Sequence, residues 1–176
     1  RKITDDQGIE NADQILHDLN KGIELTFGKD SSNIRLKDGM DVAMCVVDKE
    51  KGELEFAGAF RPMYFVRDNK IEEIRGDRFS VGLLNEGDGI EITKTTIKLQ
   101  KNDIFYFFSD GYADQFGGPE GKKFKYRRFR HLLLTIHKLP LDQQKVILEK
   151  SFDEWRGNFE QVDDVLIVGL KPGLGQ

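Results

Sequence analysis

The sequence predicts an α+β domain. Three observations carry that reading: an amphipathic helical pattern near the start, a middle stretch of short strand-like segments punctuated by turn residues, and two helical patterns followed by a last apolar strand. Residues 7–28 place Ala12, Ile15, Leu16, Leu19 and Ile23 at three- and four-residue spacings, which makes one apolar stripe, and Gly28 is placed to end the helix. Residues 29–39 are polar and contain Ser-Ser-Asn, the composition of an exposed loop. Residues 41–47 and 53–58 read as paired strands around Asp48-Lys-Glu-Lys-Gly52, and residues 63–66 and 71–74 flank Asp68-Asn69 as a tight hairpin. Residues 90–99 and 104–108 complete the strand-rich middle. A glycine-rich loop at 117–121 and a basic stretch at 122–130 come next. Helices are expected at 127–137, with Phe129, Leu132, Leu133 and Ile136 on one side, and at 141–155, with Leu148, Phe152 and Trp155 at i, i+4 and i+7 after Pro140. Residues 165–170 read as the last strand.

The 176 residues fit one domain, and 13 phenylalanines with 38% hydrophobic residues supply a substantial core. A net charge of −4 gives no reason to expect nucleic acid as a partner. No apolar run approaches the roughly 18 residues a membrane span needs. The single cysteine, Cys45, lies inside the apolar run 42–47 and reads as a small buried hydrophobe, and a reducing, cytoplasmic setting suits a chain with no internal disulfide. The chain opens on Arg1 and enters a helical pattern at once, so it reads as cut from something longer.

Chemistry concentrates in carboxylates. The segment Ile104-Phe-Tyr-Phe-Phe-Ser-Asp110-Gly111-Tyr-Ala-Asp114 is an apolar strand that ends abruptly in an acid and a glycine. Asp163-Asp164 stands directly before the apolar run that closes the chain. Each has a plain reading, as a turn or a solvated cap, and a sharper one, as two acidic strand ends sharing a cation. All-oxygen donors suit hard cations such as Mg²⁺ or Mn²⁺, and two such ions about 3.5–4 Å apart can promote phosphoryl transfer. Other constellations are weaker. The loop 117–123 lacks the glycine spacing and the Ser/Thr of a phosphate-binding loop. His17, His131 and His137 have no partners at metal-ligand spacing, and no elbow glycines surround Ser109. Lys122-Lys123-Phe-Lys125-Tyr-Arg127-Arg128 reads as a solvated face in preference to a nucleic-acid patch.

Four segments together resemble the SpoIIE-type serine phosphatases of the metal-dependent, type 2C-like superfamily. They are Asp38-Gly-Met-Asp41-Val-Ala-Met-Cys, Phe56-Ala-Gly-Ala-Phe-Arg-Pro62-Met-Tyr64, Phe108-Ser-Asp-Gly-Tyr-Ala-Asp-Gln-Phe-Gly-Gly118 and Gln161-Val-Asp-Asp-Val165, co-linear over about residues 10–170. The resemblance implies a β-sandwich flanked by helices (α-β-β-α), here a single partial domain over residues 1–176 that is truncated on its N-terminal side. It implies Asp110 and Asp163 as ligands of a binuclear Mn²⁺ or Mg²⁺ centre, with Gly111 permitting close backbone packing and Asp164 as the polar residue after the C-terminal ligand. It further implies direct in-line attack of water on a phosphoserine or phosphothreonine of a signalling phosphoprotein. The chain would then be part of the output domain of a larger bacterial regulator, cytoplasmic even where a membrane sensor tethers the whole. The early metal Asp and the Asp-x-x-Gly-His-Gly motif of such domains do not occur in this sequence, Phe60 and Arg61 stand where relatives often carry Asn or His, and Ser80-Val81-Gly82 replaces the common Pro-Ile-Gly. A fragment with half a metal cage is expected to be inactive by itself and to self-associate through surfaces that truncation exposes. The competing expectation is a non-catalytic binding or regulatory module that retains the phosphatase fold.

Overall fold

The computed structural model describes residues 11–27, 39–83 and 91–173. The expected loop over residues 29–38, the helix start at 7–10 and the strand residue Ile90 lie outside the described residues. In order, the elements are α1 (Ala12–Phe27), β1 (Val42–Asp48), β2 (Glu53–Ala59), β3 (Met63–Arg67), β4 (Lys70–Ile74), β5 (Thr95–Lys98), β6 (Ile104–Phe108), α2 (Gly111–Asp114), β7 (Phe116–Gly117), β8 (Lys122–Lys123), α3 (Tyr126–Ile136), α4 (Leu141–Arg156) and β9 (Ile167–Leu170). Antiparallel pairing with helices set apart from the strands makes this an α+β chain, as its sequence pattern indicates. The chain divides into two compact units, residues 1–63 with 74–101 and 172–176, and residues 64–73 with 102–171.

The first unit is built on the sheet β1-β2-β5. Its hairpin runs in register from Val42 opposite Ala59 to Asp48 opposite Glu53. Asp48 closes the turn by accepting the Lys51 amide at 2.8 Å, and Gly52 supplies the positive φ of 63° that the return requires. The apolar stripe of α1 packs Ala12, Leu16, Leu19 and Ile23 against Ala57, Ala59, Phe79 and Val81. Residues 91–94 are not strand, so the segment anticipated over 90–99 shortens to β5. Cys45 is half-buried in β1, where desolvation pushes its thiol pKa up.

In the second unit the sheet order is β4-β3-β6-β9. Asp68 and Asn69 both take left-handed φ, 50° and 59°, as a two-residue hairpin loop demands. An aromatic core fills one side: Tyr64, Phe108, Tyr112, Phe124, Phe129 and Phe152 form a connected set with ring centroids 4.5–6.2 Å apart. Phe129 is fully buried, which stabilises by about 1.5–3 kcal/mol per such ring. Two of the buried polar side chains here, Gln144 and Asp103, are matched. Gln144 donates to the carbonyls of His137 (3.2 Å) and Leu139 (2.8 Å), which closes the α3–α4 turn, and accepts the Tyr106 hydroxyl at 2.7 Å. Asp103, with its side chain 1% exposed, is held by a two-pronged Arg67 guanidinium at 2.9 and 2.7 Å, which in turn raises the arginine pKa.

Burial raises the pKa of Tyr64, Tyr106 and Tyr112, the last to about 12. Unfolded tyrosines release their protons at the ordinary value, so between that value and the folded one the native state holds protons the unfolded state has lost. Stability is therefore full below the ordinary tyrosine range and falls as pH climbs toward about 12. In a Tyr126→Phe variant, which removes the one exposed tyrosine among the described residues, phenolate absorbance in a pH titration is expected to rise cooperatively with loss of circular dichroism, not gradually ahead of it.

Candidate metal centre

Strand β6 is buried along almost its whole length, so the backbone arrives at Ser109 in a fixed position. Phe108 is wedged between Tyr64 (4.5 Å between centroids) and Phe129 (5.1 Å) immediately before the acidic end. Beyond Phe108 the pairing with β9, which sets Phe108 opposite Ile167, is continued by the backbone amide and the side chain of one residue. The Ser109 amide donates to the Leu166 carbonyl at 3.0 Å. Its hydroxyl accepts the Leu166 amide at 2.9 Å and donates to the Asp164 carbonyl at 2.7 Å. Ser109 thus clamps the Asp163-Asp164 segment against the end of β6.

That clamp brings the two acidic strand ends to one place. Gly111 tightens it: a Cβ there would collide with the Asp164 carbonyl oxygen and press on Val165, so only glycine lets the segments approach this closely. The last strand begins at Ile167, two residues later than the apolar run at Val165, and the Leu166 amide just before it bonds the Ser109 hydroxyl in place of a backbone carbonyl. Asp110 leads into the four-residue turn α2 without capping it through its side chain. Asp163 is exposed, and one of its carboxylate oxygens accepts the Asp164 amide at 2.7 Å while its carbonyl accepts Gln161 Nε2 at 2.8 Å.

The segment after Asp110 is braced in its turn. Tyr112 donates its hydroxyl to the Leu148 carbonyl at 2.9 Å. Gln115, fully buried, donates to the Glu160 carbonyl at 2.8 Å, and Trp155 Nε1 donates to the Gln115 carbonyl at 3.0 Å. Gly117 lies against the Trp155 backbone with no room for a Cβ. The run Tyr112–Gly118 is therefore a buckle between α2 and α4, and none of its hydrogen-bonding roles was apparent from local sequence.

Two carboxylate-bearing positions with hard oxygen donors suit a divalent cation in kind. In number they fall short, since among the described residues no group of three or more His, Cys, Asp or Glu side chains is placed to hold a metal ion. His17 is exposed beside Asp18, and His137 contacts the Leu134 carbonyl at 2.6 Å. Asp38 lies outside the described residues. In the first unit, Asp41 accepts the Ser80 hydroxyl at 3.1 Å and pairs with Arg61 at 3.5 Å. Phe60 stands exposed beside it with φ of 53°.

The family model for SpoIIE, stage II sporulation protein E, matches residues 1–172, and the chain belongs to that family. Its fold is that of the PP2C-type phosphatase domains. The SiaA-PP2C domain of Pseudomonas aeruginosa is similar with a TM-score of 0.84 and 26% identity, over 97% of this chain and 64% of that one. The RsbU and RsbW domains of Rv1364c from Mycobacterium tuberculosis give a TM-score of 0.67 at 18% identity, over 96% and 43%. The catalytic domain of the serine threonine protein phosphatase PstP, in complex with two manganese ions, gives 0.56 at 14%, over 85% and 64%. This chain thus spans less than two thirds of each of these structures. No curated protein matches the sequence.

Removing the clamp should be measurable as stability. Ser109→Ala deletes a donor and an acceptor and is expected to cost about 1–3 kcal/mol. Thermal denaturation should register it as a drop of roughly 2–4 °C per kcal/mol for a chain of this size. Gly111→Ala, which forces the Asp164 backbone away, should cost more than Ser109→Ala.

Proposed function

We propose that this chain is part of a metal-dependent protein serine/threonine phosphatase domain, the output module of a larger bacterial signalling protein acting in the cytoplasm on a phosphoprotein. One observation carries the reading: Ser109 and Gly111 draw Asp110 and Asp163 to the same end of the β6–β9 strand pair. Asp110 and Asp163 would supply two of the ligands, and Asp164 and Gly111 would support them. Mn²⁺ or Mg²⁺ bound there would neutralise phosphoryl charge and activate water. The remaining donors come, in this reading, from the part of the domain that relatives of the SiaA type have and this chain does not span. The chain's own contribution is positional: β6 fixes Asp110, and the serine clamp fixes Asp163 relative to it.

A second reading, a regulatory module that keeps the fold without catalysis, is favoured by the lack of a three-donor cluster among the described residues and by the Arg61–Asp41 pair. No described helix is long and apolar enough to cross a membrane, and self-association through exposed edges belongs to the same proposal.

Mn²⁺-dependent hydrolysis of a phosphoserine peptide by the intact protein separates the two readings. Asp110→Asn and Asp163→Asn are each expected to lower the rate by at least 10–100-fold, roughly the loss seen when even an outer partner of a metal ligand is removed. Equal rates for wild type and both variants would sink the catalytic assignment.

A further inference from the structure

The nine residues from Lys122 to Arg130 contain six lysines and arginines and no acid, within a chain of net charge −4. They form an exposed strip along β8 and the start of α3. Part of that charge is spent locally: Lys122 pairs with Glu120, Lys123 with Asp114 at 3.0 Å, and Arg130 with Glu73 at 3.7 Å. Lys125, Arg127 and Arg128 have no carboxylate partner among the described residues, and the Arg128 guanidinium stands over the Trp155 ring, 4.3 Å from its centroid.

The strip is fastened to the Asp110 turn. Lys125 donates its amide to the Ala113 carbonyl at 2.7 Å, Phe124 donates to the Gln115 carbonyl at 2.9 Å, and the Lys123–Asp114 pair ties β8 to the last residue of α2. Lys125 itself has φ 74° and ψ 145°, a conformation glycine tolerates and lysine resists. Backbone economy would put glycine there, yet the position carries an exposed cation. Lysine at a strained, solvated site contributes charge, not packing.

We propose that this strip is the docking surface for the acidic flank of the phosphorylated segment on which the phosphatase acts. The proposal rests on the phosphatase reading for the phosphoserine alone; the charge recognition stands on the strip itself. Charge complementarity selects an acidic polypeptide. A nucleic acid fits less well, because Glu120, Asp114 and Glu73 neutralise three of the six cations, which leaves enough charge for a short acidic flank and too little for a long polyanion on a net negative chain.

Fluorescence anisotropy with three labelled probes tests this on the whole chain: a short phosphoserine peptide flanked by Asp and Glu, its Asn/Gln counterpart, and a DNA duplex. The acidic peptide should bind more tightly than the neutral one, and added salt should weaken it. Lys125→Gly should weaken it by about 2–5-fold, one exposed ion pair's worth, while thermal stability holds or rises because the backbone strain is relieved. Lys125→Gly combined with Arg127→Gln should weaken it by about tenfold. Equal affinity for acidic and neutral peptides, or no change in the double variant, would overturn the proposal. Tighter binding to the duplex than to the acidic peptide would overturn it in favour of nucleic acid. Hydrolysis is not read in any arm, so loss of the catalytic assignment and loss of this one are separate results.

Discussion

One serine hydroxyl holds the acidic end of this fold together. Ser109 Oγ accepts from Leu166 and donates to the Asp164 carbonyl, at 2.9 and 2.7 Å. The Ser109 amide carries the β6–β9 ladder one bond beyond Phe108, and these two side-chain bonds secure the Leu166 amide and the Asp164 carbonyl beside it. Everything that gives the site a chemistry depends on that extension. The hydroxyl holds down a segment whose residues 161–164 are all exposed, alongside the Ser109 amide–Leu166 carbonyl bond and the packing of Val165 on the aromatic core. Gly111 is the steric counterpart, leaving the space into which the Asp164 backbone fits.

The clamp works because its base does not move. Phe108 is seated in an aromatic cluster, and the tyrosines of that core find hydroxyl partners at Gln144 and Leu148. The buckle from Tyr112 to Gly118 then ties the turn after Asp110 to α4 through Gln115 and Trp155. Buried amides and phenols of this kind are costly when unmatched and rigid when matched. Here they fix where a carboxylate stands. The basic strip is fastened to the same turn by backbone hydrogen bonds, so the groups proposed to bind a substrate and those proposed to hold a metal share one scaffold.

Much of this was legible from residue order. The stripe of α1, the hairpins at 48–52 and 68–69, the strand ending at Asp110 and the faces of α3 and α4 follow from periodicity and turn chemistry. Two segments read less well. Residues 91–94 alternate enough to suggest a strand but are not paired, because pairing depends on a neighbour that local pattern does not reveal. Gly111–Asp114, where the pattern indicates no element, is helical, a four-residue turn held by tertiary hydrogen bonds more than by propensity. Ser109 lacks the flanking glycines of a nucleophile elbow, and its role needs two backbone groups more than fifty residues away, which no local window contains.

By itself, the sequence determined the fold class, the identity of the acidic residues at both strand ends and the family to which their motifs belong, because periodicity and motif order are properties of the chain. Only the tertiary structure decided that those ends meet. It decided as well that the basic run lies on the same turn, and that the described residues bring together two carboxylate positions and not a full cage. Convergence of residues 110 and 163 is set by strand register, a serine clamp and one missing Cβ, and those are relations between distant segments that composition and spacing do not encode.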